Sequence, residues 1–208
     1  MHVAIPLYPG FTALDAVGPY TVLALTPGCE VSFVAGGTGP VTDDQGKPTL
    51  VATTSYADLP APDIVVVPGG PGTTAALGDR ALLDWLMAAD AHTKWTTSVC
   101  SGSFLLAAAG LLTGRKATSH WGWVEQLAGF GAEPVSERVV FDGKYVTAAG
   151  VSSGIDMAIA LVARETGERT AQTVQLAIEY DPEPPFDAGS PHKVPADLHA
   201  AALALIGT

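Results

Sequence analysis

Residues 95–109 have the sequence Trp-Thr-Thr-Ser-Val-Cys-Ser-Gly-Ser-Phe-Leu-Leu-Ala-Ala-Ala. The first five residues form a short, nearly continuous apolar run and predict a buried strand, whereas the last six predict a helix. The small residues between them, from Cys100 to Ser103, predict a sharp strand-to-helix turn. Strand, turn and helix in this order are typical of a nucleophile elbow, here with Cys100 in place of serine.

The rest of the chain repeats this alternation of short strands and helical patterns, which predicts an α/β fold with a mainly parallel sheet and helices on both faces. Further strands are expected at residues 2–8, 30–35 and 63–67, with edge pieces at 50–56 and 138–147. Asp142-Gly143 within the last piece predicts a hairpin turn. Helices are expected near residues 19–25, 81–91, 101–109, 122–128, 153–166, 168–180 and 196–206. Pro19 is taken as the first residue of its helix.

The length of 208 residues suits one α/β domain, and we expect a single domain over residues 1–208. Its prolines keep residues 181–191 out of regular structure. We therefore interpret residues 181–208 as a proline-rich arm followed by a C-terminal helix.

The composition excludes disorder and coiled coil, because 48% of residues are hydrophobic and only 15% are charged. A net charge of −11 argues against nucleic-acid binding. No apolar run reaches the roughly 18 residues of a membrane span, and no leader pattern precedes the first strand, so a cytoplasmic location is expected. The low charge content favours a homodimer, in which a second subunit covers apolar surface.

The chain has two cysteines, too few for a disulfide framework. The elbow would place the Cys100 sulfur at a helix N-terminus, where the free N–H groups and the helix dipole predict a lowered thiol pKa. The alternative is a buried structural cysteine. Cys29 has no such context and is expected to be structural.

The carboxyl ends of parallel strands share one edge of the sheet, so the loops after residues 8 and 67 are expected near Cys100. Gly69 and Gly70 would let backbone approach the site closely, and the N–H groups of Gly70 and Ser101 would form an oxyanion hole. Residues 70–75 match a dinucleotide fingerprint only formally, since the acidic residue that should follow is missing.

Asp15 lies in the predicted loop after the first strand. It either stabilises the following helix N-terminus as an anion or hydrogen-bonds the sulfur and transfers protons. His120 is expected in a supporting or helix-start position. The five histidines show no metal-binding spacing, so neither a metal nor another cofactor is expected.

At these residues the sequence resembles the ThiJ/PfpI superfamily, and within it the isocyanide (isonitrile) hydratases. The resemblance extends over nearly the whole chain up to residue 191, through Leu14-Asp15-x-x-Gly18-Pro19, Pro68-Gly69-Gly70 and residues 97–103, 109–112, 117–121, 154–156 and 180–191. It implies a flavodoxin-like three-layer sandwich, a homodimer, Cys100 as nucleophile and Asp15 as the carboxylate that contacts it. Ser101 stands where these hydratases usually carry threonine.

The resemblance implies cysteine-dependent hydration of a small-molecule isocyanide to the formamide, through a covalent thioimidate. One alternative is a small-molecule or redox sensing domain like the N-terminal module of AraC-type regulators. Another is a different thiol activity of the superfamily, such as glyoxalase or deglycase chemistry. The protease-like branches have histidine directly after the nucleophile and the glutamine amidotransferases have a His-x-Glu pair. Ser101 and His120-Trp121-Gly122 depart from both patterns.

Overall fold

The computed structural model describes residues 1–206. It comprises two compact units, one over Met1–Ile178 and a second that begins at Glu179. Residues 207 and 208, the end of the predicted domain, lie outside the described residues. The assignment of residues 1–208 to a single domain stays a prediction.

A seven-stranded sheet forms the centre of the first unit, with the strand order β10-β11-β7-β6-β1-β2-β5. All neighbouring strands run parallel except β10, which pairs antiparallel with β11. Two small sheets, β3-β4 and β8-β9, complete the strands of the described chain. The bounds are β1 (His2–Pro6), β2 (Glu30–Ala35), β3 (Gly39–Thr42), β4 (Thr49–Ala52), β5 (Thr54–Ser55), β6 (Ile64–Val67), β7 (Trp95–Val99), β8 (Lys116–Ala117), β9 (Glu133–Pro134), β10 (Val139–Asp142) and β11 (Tyr145–Ala148).

Helices cover both faces of this sheet, so the three-layer α/β/α prediction is confirmed. One group contains α1, α5 and α6, and the other contains α2, α3 and α4. The bounds are α1 (Ala13–Ala24), α2 (Thr73–Ala76), α3 (Arg80–Asp90), α4 (Gly102–Ala108), α5 (Ser153–Thr166), α6 (Glu168–Ala177) and α7 (Ala196–Leu205), with 3₁₀ helices at Val124–Phe130 and Pro191–Lys193. None of the helices described is long and apolar enough to cross a membrane.

The strand predictions differ in how well they match the structure. Strands β2 and β7 have the predicted bounds, and Asp142-Gly143 turns the hairpin between β10 and β11. The predicted edge piece at 50–56 is instead divided between β4, which pairs with β3, and β5, which forms the far edge of the main sheet. Strand β3 was not predicted.

The prediction for α1 is wrong in its starting point. The helix begins at Ala13, so Pro19 lies inside it and Asp15 lies in its first turn, not in a loop. Proline is tolerated in the first turns but cannot donate a backbone hydrogen bond further along. The predicted helix at 122–128 is a 3₁₀ helix, Val124–Phe130, and the short helix α2 was not predicted.

The strand order brings the predicted loops together. Strands β2, β1, β6, β7 and β11 follow the flavodoxin-like order, in which these strands stay parallel but the order of strand addition reverses between β1 and β6. Loops on either side of such a reversal diverge and leave a crevice at the carboxyl ends of the strands. All of β6 is buried, so the core holds the carboxyl end of this strand in place.

The second unit contains the predicted arm. Residues 181–190 form neither helix nor strand, as their prolines predict, and α7 follows at nearly the predicted position.

Candidate active site

The backbone at Cys100 has the strained geometry of an elbow. Its φ of 56° is positive, which is uncommon for any residue with a side chain. Its N–H donates to the carbonyl oxygens of Ala148 and Ala149 at 3.0 and 2.8 Å. Its carbonyl accepts hydrogen bonds from the hydroxyls of Ser103 at 3.1 Å and Ser119 at 3.0 Å. These bonds hold the cysteine in its strained conformation, and the predicted sharp turn is confirmed.

The loop after β6 lies directly against this elbow, as predicted for Gly69. A Cβ atom on Gly69 would lie 2.5 Å from the backbone nitrogen of Ser101. A Cβ atom on Gly102 would overlap the carbonyl oxygen of Val67. Only glycine therefore fits at either position without moving the backbone.

Asp15 is fully buried beside the sulfur. Its Oδ2 accepts a hydrogen bond from the Gly69 N–H at 2.9 Å, and its side chain interacts with the Cys100 thiol. The other oxygen, Oδ1, is buried without a hydrogen bond of standard geometry within residues 1–206. Burial raises the pKa of Asp15 to about 7, although the bonds from Gly69 and Cys100 act in the opposite direction. This carboxyl can therefore exchange a proton near neutral pH.

The Cys100 side chain is only 4% exposed. Burial, and next the charge of Asp15, raise its pKa to about 12, while N–H donation from Ser101 and Val151 and the Ser101 hydroxyl lower it. The predicted lowering of the thiol pKa is therefore wrong. Helix α4 does begin beside the sulfur, but the loss of water and the neighbouring carboxylate outweigh its N-terminus.

Val151 is a site residue that the sequence analysis missed. Its backbone N–H faces the sulfur from the turn between β11 and α5. The signal was available, since β11 is a parallel neighbour of β7 and the loop after it must reach the same edge.

Ser101 and Gly70 are bonded to each other. The Gly70 N–H donates to Ser101 Oγ at 2.9 Å, and Ser101 Oγ lies 3.0 Å from Thr73 Oγ1. Gly70 has a φ of 135°, in the region that favours glycine. Its N–H is thus already engaged in this structure, and its role as an oxyanion donor stays a prediction.

His120 lies beside the turn that carries Val151. A Cβ atom on the neighbouring Gly150 would come within 2.7 Å of the imidazole Cδ2. The imidazole Nδ1 accepts a hydrogen bond from the Gly122 N–H at 3.2 Å, and burial lowers the pKa of His120. This placement agrees with a supporting position next to the site, and β8 ends before it, at Ala117.

Within residues 1–206 no group of three or more His, Cys, Asp or Glu side chains has an arrangement that could hold a metal ion. The polar groups described at the site are one thiol, one carboxyl and the backbone and hydroxyl groups around them.

The chain that carries this buried thiol and carboxyl has relatives among known proteins. Residues 1–164 match the DJ-1/PfpI family. The chain belongs to this family. The resemblance inferred from the sequence is thereby confirmed.

Among the relatives of this DJ-1/PfpI protein is the isonitrile hydratase of Pseudomonas putida, 43% identical over 196 residues, or 94% of this chain and 86% of the relative. Protein DJ-1 homolog A of Arabidopsis thaliana is 31% identical over 186 residues, or 88% of this chain and 47% of that protein. The crystal structure of a ThiJ/PfpI family protein from Pseudomonas syringae superposes with a TM-score of 0.95 at 42% identity, covering 99% of this chain and 85% of that chain.

Proposed function

We propose that this protein hydrates an isocyanide, R–N≡C, to the N-substituted formamide, with Cys100 as nucleophile and Asp15 as proton carrier. The observation that carries the proposal is the buried pairing of a thiol with a carboxyl whose pKa is about 7. Similarity to an isonitrile hydratase at 43% identity supports the substrate class.

The first step forms a carbon–sulfur bond. The Cys100 thiol transfers its proton to the Asp15 carboxylate, and the resulting thiolate attacks the terminal carbon of the isocyanide. Asp15 then delivers the proton to that carbon. The product is a covalent thioimidate, R–N=CH–S–Cys, which contains all atoms of the thiol and the isocyanide.

The second step consumes water. The Asp15 carboxylate takes a proton from a water molecule as its oxygen attacks the thioimidate carbon, and the proton passes to nitrogen. The carbon–sulfur bond then breaks and releases R–NH–CHO, while the second proton of the water, carried on the hydroxyl of the adduct, passes to the sulfur and restores the thiol. No redox change occurs, so this scheme calls for no cofactor.

The surrounding donors match the charges that develop. The N–H groups of Ser101 and Val151 and the Ser101 hydroxyl stabilise negative charge on the sulfur. If substrate displaces the Ser101 hydroxyl from Gly70, the Gly70 N–H becomes a further donor. Burial of the site excludes bulk water, which strengthens each of these interactions.

The setting of the reaction is also part of the proposal. We expect a homodimer in the cytoplasm, because only 15% of residues are charged and apolar side chains such as Leu176, 80% exposed, offer surface for a second subunit. Because an isocyanide is uncharged, the net charge of −11 plays no part in its recognition.

The test supplies an aryl or alkyl isocyanide in ¹⁸O-labelled water. We expect formamide that carries the label in its carbonyl and, in rapidly quenched samples, a Cys100 adduct heavier by the mass of the intact isocyanide. An absence of formamide would contradict the activity. Labelled formamide without an adduct in quenched samples would contradict the thioimidate. Parallel exposure to methylglyoxal or peroxide tests the glyoxalase and redox-sensing alternatives through their own Cys100 adducts.

A further inference from the structure

Three buried hydroxyl groups form a chain that ends beside Cys100. The Tyr8 hydroxyl donates to the carbonyl oxygen of Pro68 at 2.7 Å and lies 2.9 Å from Thr73 Oγ1. Thr73 Oγ1 in turn lies 3.0 Å from Ser101 Oγ. Tyr8, Thr73 and Ser101 are 3%, 5% and 8% exposed, so water does not replace these bonds.

The direction of every bond in this chain is fixed from its far end. A carbonyl oxygen only accepts, so the single Tyr8 hydroxyl proton is committed to Pro68. In the contact between Tyr8 and Thr73 the donor must therefore be Thr73, and in the contact between Thr73 and Ser101 the donor must be Ser101. The Gly70 N–H supplies the hydrogen bond that Ser101 Oγ accepts.

Ser101 thus has one proton and more than one acceptor for it. Besides Thr73, the Gly70 carbonyl oxygen lies 3.3 Å from Ser101 Oγ, and the Cys100 sulfur is within reach of the same hydroxyl. Donation to the sulfur requires Ser101 to give up its bond to Thr73. A charged acceptor makes the stronger hydrogen bond, so this exchange becomes favourable once the sulfur is a thiolate.

We propose that Thr73 and Tyr8 are positioning residues, which hold the Ser101 hydroxyl proton away from Cys100 until negative charge develops on the sulfur. The proposal uses Cys100 as the nucleophile of the proposed function, but its first readout needs no isocyanide. Neither Thr73 nor Tyr8 touches the reacting atoms in this scheme. They act through Ser101.

The ionisable groups around the chain are consistent with this role. Burial raises the pKa of Tyr8 far above its usual value, and Asp15, Cys100 and Tyr56 act in the same direction. The phenol therefore stays neutral and keeps the proton that it donates to Pro68. Asp15 and Cys100 are also the ionisable groups that act on each other at the sulfur.

The experiment removes one link at a time and measures the acidity of Cys100. Thr73→Val frees the Ser101 proton, so the thiolate gains its hydrogen bond without loss of another. We expect the Cys100 pKa to fall by about 1 and alkylation by iodoacetamide, well below that pKa, to rise about tenfold. Mass spectrometry follows Cys100, with Cys29 in the same molecule as internal reference.

Two further variants separate positioning from structure. Thr73→Ser keeps the hydroxyl and should restore the original alkylation rate. Tyr8→Phe removes the hydroxyl that accepts the Thr73 proton, so the direction of that proton is no longer fixed. The Cys100 pKa should fall in this variant as well, by a smaller amount. Thr97→Val is the matched control, since Thr97 is a fully buried threonine of β7 whose hydroxyl donates to Val65. It should leave the Cys100 pKa unchanged.

An unchanged or raised Cys100 pKa in folded Thr73→Val overturns the proposal, as does an equal shift in Thr97→Val. If Thr73→Val does not fold, Tyr8→Phe decides by the same criterion. Formamide production measured in parallel keeps the two hypotheses apart. If the parent protein produces formamide but the Cys100 pKa is unchanged in Thr73→Val, only this inference is rejected. If the Cys100 pKa falls in Thr73→Val but the parent produces no formamide, only the hydratase activity is rejected.

Discussion

Cys100 and Cys29 place the same thiol in two different settings of one fold. Cys29 follows α1 in a turn, where its N–H donates to the Thr26 carbonyl oxygen at 3.1 Å. It is partly exposed and borders a small cleft beside Leu23 and Ile64. Cys100 is buried, has a positive φ and is bonded on both sides of its peptide unit.

Burial raises the pKa of both thiols, so burial is not what distinguishes them. At Cys29 the Met1 ammonium lowers the pKa, whereas Glu165 and Asp63 raise it, and do so only through their charge. Glu165 is engaged elsewhere, with Lys94 at 3.1 Å and the Trp95 indole at 2.6 Å. Cys100 instead has a buried carboxyl as a direct partner for its proton. The two cysteines therefore differ in the proton acceptor and the hydrogen-bond donors that surround the sulfur.

The largest expected effect separates the two cysteines by activity. Cys100→Ala should lower isocyanide turnover by about 10³-fold or more, because no other group forms the carbon–sulfur bond. Cys29→Ala should stay within about twofold of the parent. Formamide is quantified under saturating isocyanide. Equal turnover in the two variants would remove Cys100 from the mechanism.

The next effect is on the pH dependence of folding stability, through the buried carboxyl that lies beside Cys100 and has no counterpart at Cys29. Burial raises the pKa of Asp15 from 3.8 to about 7. The folded state therefore holds a proton that the unfolded state loses, and its stabilisation is complete below about pH 4 and lost as pH rises to about 7. This contribution is at most about 4 kcal/mol. Urea unfolding across this range should show the decline in the parent and in Cys29→Ser, and a flatter profile in Asp15→Asn. The same decline in Asp15→Asn would show that another group titrates.

The smallest effect compares one glycine from each region. Gly102→Ala places a methyl group against the backbone of β6 and should cost at least about 2 kcal/mol of unfolding free energy. Gly28, next to Cys29, has a φ of 78°, but a methyl group there would meet no other atom within 4 Å. Gly28→Ala should cost only about 1 kcal/mol, from the left-handed backbone alone. Urea unfolding at one pH gives both values, and equal costs would mean that the elbow adapts to the methyl group.

The sequence was informative where local chemistry determines structure. Runs such as 95–99, rich in β-branched residues, become strands buried on both faces, and the parallel order then brings their following loops to one edge. Cys100, Ser101 and Asp15 could be selected in this way from the sequence alone. Gly69 could be selected too, since two adjacent glycines after a strand indicate close backbone approach.

Other features depended on contacts between distant residues. The raised pKa of Cys100 follows from burial by the whole fold, whereas the local pattern pointed to the helix N-terminus. Tyr8 and Thr73 are 65 residues apart in sequence, so nothing local indicated that their hydroxyls meet. The prediction from Pro19 was wrong because a single sequence does not distinguish a proline at the start of a helix from a proline inside one.

Pro19 also affects the helix turn that carries Asp15. It lies four residues after Asp15 within α1 and has no amide hydrogen. The Asp15 carbonyl therefore cannot receive the bond that an uninterrupted helix would supply from residue 19. In mechanical terms, the turn that carries Asp15 is joined to the rest of the helix by one backbone hydrogen bond fewer than an uninterrupted helix would have.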